Sequence, residues 1–201
     1  MKVLGYIAFL AFCLLLLYGV GKFKHHGEPI TITAEAVEPD ILLSNSKNYF
    51  EEHAYHRSMG HLKSAITAIR QIEQGIDDES KEKVDAAVDE LEEIYNEMSH
   101  ETFNIKHLNE ASIKALNALT YAELKVTEHF VDSHELDKAK VALNYGMLHV
   151  KNALMFSEGE NKDYETEIYI EIDSLLRSGE ISNKDVLIKL ENMIVDLEKP
   201  S

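Results

Sequence analysis

Between Pro39 and Pro200 this chain of 201 residues contains no proline and only five glycines, Gly60, Gly75, Gly146, Gly159 and Gly179. Proline and glycine are the main interrupters of regular backbone, so their scarcity over so long a stretch favours long helices. The apolar residues recur at helical spacing as well. One arc collects Phe50, Ala54, Leu62, Ala65, Ile66, Ile69 and Ile72, which predicts a first helix over residues 46–74, stopped by Gly75. A second helix carries Val84, Ala87, Val88, Leu91, Ile94 and Met98 on one face. A third, over residues 110–131, aligns Ala115, Leu116, Leu119, Ala122, Val126 and Phe130. A fourth, over residues 135–157, aligns Leu136, Ala139, Leu143, Met147, Val150 and Leu154.

The fourth helix also has a second stripe, Val141, Leu148 and Met155, at heptad spacing. A helix apolar on two sides packs on two sides, so this one is expected at the centre of the fold. Gly159 and Gly179 bracket a shorter fifth helix, and Val186, Leu190, Met193 and Leu197 mark a sixth. The expected class is all-α: an antiparallel helical-hairpin bundle of about four long and two shorter helices over residues 46–198.

A transmembrane helix is expected ahead of that bundle. Residues 3–20, VLGYIAFLAFCLLLLYGV, hold no charge and follow Lys2, with Lys22 and Lys24 beyond them. As a helix they would measure about 27 Å, close to the hydrocarbon thickness of a bilayer. Gly19-Val20-Gly21 would suit cleavage of a signal peptide, but such peptides have shorter apolar runs. Phe12 before Cys13 does not suit a lipidation site. Residues 1–24 are therefore expected to be an uncleaved signal anchor. Residues 25–45, with Gly27, Pro29 and Pro39, read as an extended linker. The flanking lysines barely orient the span, and the bundle is expected outside the cytoplasm.

Charge excludes one class of partner. The chain has 36 acidic and 20 basic residues, a formal net charge of −16. A field of that sign repels phosphate backbones, so no nucleic acid partner is expected. The lone cysteine, Cys13, rules out an intrachain disulfide and any CxxC metal site. No glycine-rich phosphate loop, Gly-x-Ser-x-Gly elbow or His-Glu-x-x-His helix occurs.

Three groups of residues could still carry function. His53 and His56, spaced by three, would share a helical face, and His61 follows one to two turns on. With a carboxylate from another helix they could hold a divalent metal ion, although two ligands are a weak motif. Glu123 falls inside the apolar arc of the third helix and His149 among Ala142, Ala153 and Phe156 of the fourth. Both are expected to be buried and to pair across the hairpin, since a buried carboxylate needs a partner. Val141, Leu148 and Met155 form a possible interaction face, covered by later helices, by a protein partner or by a second copy. The expected function is that of a single-pass membrane-anchored, acidic, non-enzymatic protein-binding or scaffold module without a cofactor. The alternative is an extracytoplasmic divalent-metal-binding or metal-sensing bundle.

Overall fold

The computed structural model describes residues 34–73, 75–98 and 103–197. The expected membrane span and the first part of the linker lie outside the described residues. A 3-10 turn, Ala34–Val37, leads into seven α-helices: α1 Glu38–Glu51, α2 Tyr55–Glu73, α3 Asp78–Glu97, α4 Ile105–Asp132, α5 Leu136–Ala153, α6 Gly159–Ser178 and α7 Lys184–Leu197. No strand occurs among the described residues, so the all-α expectation holds. None of the described helices is long and apolar enough to cross a membrane.

The linker expectation fails from residue 34 onward. Pro39 sits in the first turn of α1, where its missing N–H costs no helical hydrogen bond, and Glu38 and Asp40 complement the helix dipole there. The single first helix expected over residues 46–74 is also two. His53 adopts φ +59°, and α1 turns back on α2 as a hairpin. Histidine is among the non-glycine residues that tolerate this left-handed conformation, so no glycine or proline marks the break. Two serines hold the hairpin closely. Ser46 Oγ donates to the Ser58 carbonyl at 3.0 Å, and Ser58 Oγ donates to the Ser46 carbonyl at 2.6 Å.

The helix at the centre is α4, not the fourth helix of the sequence reading, which corresponds to α5. Of its 28 residues, 17 are buried, and residues 115–124 form an unbroken buried run. It packs against α1, α3, α5 and α7. Ala111, Ala115, Ala118 and Ala122 are small enough to let neighbours approach from several sides. The N-terminal half of α4 joins Leu43, Leu62, Ile69, Val84 and Leu91 in one core. Its C-terminal half joins Leu143, Val150, Ile168, Ile172, Leu187 and Leu190 in a second. Asn104 caps α4 by accepting from the Lys106 N–H, and Asp77 caps α3 by accepting from Glu79 and Ser80. Gly179, at φ +74°, closes α6 in the left-handed conformation expected of a helix stop.

Candidate functional site

The α4–α5 pair buries several polar side chains beside its apolar ones. On α5 the buried residues are Ala139, Ala142, Leu143, Gly146, His149, Val150 and Ala153. On α4 Thr120, Glu123 and Thr127 are also buried. A methyl group on Gly146 would lie 3.4 Å from the Glu123 Cβ and 3.8 Å from the Thr120 Cγ2, so these helices run close together. The two threonines satisfy themselves within α4. Thr120 donates to the Leu116 carbonyl at 2.9 Å and Thr127 to the Glu123 carbonyl at 2.7 Å.

Glu123 and His149 are both buried as the sequence predicts, each 1% exposed. They do not pair. His149 Nδ1 bonds to Asp40 Oδ1 at 2.8 Å, and Asn152 Nδ2 donates to Asp40 Oδ2 at 2.6 Å. Asp40, from the first turn of α1, is therefore the partner of His149. Glu123 Oε2 has no hydrogen-bond partner. Burial, and then the charge of Asp40, push the Glu123 carboxyl well above the ordinary glutamate range. The sequence reading missed Asp40 because it placed that residue in a linker. The available signal was Glu38-Pro39-Asp40, an acidic first turn around a proline that is compatible with a helix start.

A second buried acid was also missed. Glu165 of α6 is buried and accepts a hydrogen bond from Ser157 Oγ. Burial raises its pKa, opposed by hydrogen bonds from Ser157 and Asn117. Its position three residues before Ile168 and seven before Ile172 placed it on the apolar face of α6.

The histidine cluster does not assemble as a shared helical face. His53 lies in the turn between α1 and α2, where its Nδ1 is 3.0 Å from the Tyr55 hydroxyl. His56 is exposed on α2. His61 stacks on Tyr49, with ring centroids 5.1 Å apart. The spacing of three has no helical meaning once the chain turns at His53. Among the described residues, no group of three histidine, cysteine, aspartate or glutamate side chains is placed to hold a metal ion.

The expected stripe is not covered, and it is not all helical: Val141 and Leu148 lie on α5, and Met155 lies in the turn after it. Val141 is 41% and Met155 57% exposed, and Leu148 is half-buried. α6 and α7 pack elsewhere, over Leu143, Val150 and the C-terminal half of α4. On the other side of α4, a groove of about 440 Å³ runs along α3. It is lined by Asp89, Glu90, Glu93, Glu97 and Glu110, with His107 and Lys114 among them. Lys114 bonds to Glu90 at 2.5 Å and His107 approaches Glu97 at 3.4 Å. Comparison of the chain with protein-family models, with curated proteins and with solved structures finds no match.

Proposed function

We propose that this chain is a membrane-anchored, non-enzymatic binding module. In this reading residues 3–20 hold an acidic helical bundle at the outer surface of a membrane, and the bundle engages a protein partner or a second copy of itself. The contact face is the outer side of α5. The observation that carries the reading is the exposure of Val141 on α5 and of Met155 in the turn just after it, with half-buried Leu148 between them along the chain. Covering apolar side chains of this size is worth roughly 1.5–3 kcal/mol each when burial is complete, enough for three of them to bias an encounter. The net charge of −16 directs the choice toward protein and away from nucleic acid.

Two measurements test the two halves of the proposal. Sedimentation and pull-down of the chain with Val141→Glu and Met155→Glu should show weaker association at an unchanged melting temperature. Association that survives both changes removes the α5 face from the proposal. Cell fractionation with sequencing of the mature N-terminus tests the anchor. A soluble product beginning near Lys22 would replace the anchor with a cleaved signal.

A further inference from the structure

Two helices on different sides of α4 carry opposite charge on their outer surfaces. α5 bears Lys138, Lys140 and Lys151 against a single acid, Asp137. Lys140 and Lys151 are exposed and make no salt bridge with a described residue. Eleven residues apart, they fall in one row along the helix, about 16 Å from each other. Beside that row lie Val141, 41% exposed, and half-buried Leu148. α3 carries nine acids against Lys81 and Lys83. Its exposed Glu82 and Glu93 are also eleven residues apart, with Asp89 between them in the same row. Neither glutamate makes a salt bridge with a described residue. Asp89 and Glu93 line the groove along α3 together with the apolar Ala86 and Ile94. Glu82 lines an adjoining hollow that shares Ala86 and Lys114 with it.

We propose that the α5 face of one copy of this chain docks head-to-tail on the α3 row of a second copy. The proposal rests on the reading of α5 as the contact face and names its partner. Lys140 and Lys151 meet Glu82 and Glu93 at matching spacing, while Val141 and Leu148 enter the groove against Ala86 and Ile94.

Charge selects this pairing. A chain of net charge −16 repels its own copies at long range, so a stable contact has to set local opposites together. Two α3 rows face to face would oppose acids to acids, and two α5 faces would oppose lysines to lysines. The α5-to-α3 contact matches sign. α2 also carries more bases than acids, but its Arg70 is already bonded to Glu92 of the same molecule, and no large aliphatic side chain of α2 is exposed. Both helices pack on α4, so a copy does not close the contact on itself. Each docked pair leaves one face of each kind free, and the product is an open row or a ring of copies instead of a symmetric dimer.

Sedimentation of the full-length chain in neutral detergent tests this. Lys140→Glu with Lys151→Glu, and separately Glu82→Lys with Glu93→Lys, should each weaken self-association more than about tenfold. The α3 changes lower the net negative charge, so a general easing of repulsion predicts the opposite result for them. An equimolar mixture of the two double variants should associate again. The acidic α5 face of one then meets the basic α3 row of the other, and their unchanged faces match as well. Recovery on mixing also shows that both variants are folded. Association that survives the α3 changes, a mixture that stays dissociated, or an unmodified chain that remains monomeric at about 100 µM would overturn the head-to-tail contact. Val141→Glu separates this outcome from failure of the underlying reading. Association lost in Val141→Glu but kept in Glu82→Lys with Glu93→Lys retains the α5 face and discards the α3 row as its partner.

Discussion

The helices α3 and α5 both pack on α4, and they do so in opposite styles. α3 turns Val84, Ala87, Val88, Leu91 and Ile94 inward and meets water with acids. α5 buries a glycine, three alanines and a histidine along with Leu143 and Val150, while Val141 faces outward. One interface is held by apolar volume, which is indifferent to pH. The other adds to its apolar contacts a set of buried polar groups whose contribution depends on where protons reside. The difference teaches that helix burial alone does not say what stabilises a seam.

The sharpest way to break this comparison is His149→Ala. Removing the imidazole leaves Asp40 with one donor in a dry site, and unfolding by urea should show a loss of about 3–5 kcal/mol. A loss no larger than that of a surface substitution would mean that the polar seam does not hold α5. Leu91→Ala, on the apolar seam, should cost about 2–5 kcal/mol. Its cost should be the same at pH 5 and pH 8; a pH-dependent cost would blur the distinction between the seams.

Glu123→Leu should work in the other direction. It removes a buried carboxyl with an unpartnered oxygen, and replacement by an apolar side chain of similar volume should gain on the order of 1 kcal/mol at neutral pH. The same variant should flatten part of the pH dependence. The raised folded-state pKa of Glu123 predicts that wild-type stability falls with rising pH above the ordinary glutamate range, by up to about 1.4 kcal/mol per pH unit until its own folded value is passed. Glu165, raised chiefly by burial, acts with the same sign. Denaturant titrations at pH 5, 6 and 7 that show rising stability would contradict both assignments. The smallest effect belongs to Met155→Glu, which should alter stability by less than about 0.5 kcal/mol while reducing association.

The helical class was legible because it rests on repeated apolar spacing, which averages over many residues. Burial of Glu123 and His149 was legible for the same reason: each interrupts an apolar arc. Their partners were not. Which helix supplies Asp40 depends on α1 folding back, and that depends on His53 entering the left-handed region, a single backbone choice that composition does not announce. The same turn separates His53 from the helix that carries His56 and His61. The centre of the fold was misplaced because an apolar stripe shows that a side chain would gain from cover and does not identify what covers it. Val141, Leu148 and Met155 satisfy the heptad pattern and two of the three remain exposed.

The passage of α4 through both cores has a consequence for cooperativity. Leu108, Leu116 and Leu119 belong to one cluster and Leu124, Phe130 and Val131 to the other, yet all lie on one continuous helix. Neither cluster can melt completely without fraying the rod that supports its neighbour. Heat absorption should therefore appear as a single calorimetric transition, with the van't Hoff and calorimetric enthalpies in agreement, although the chain has enough residues in each half to suggest two separately melting units.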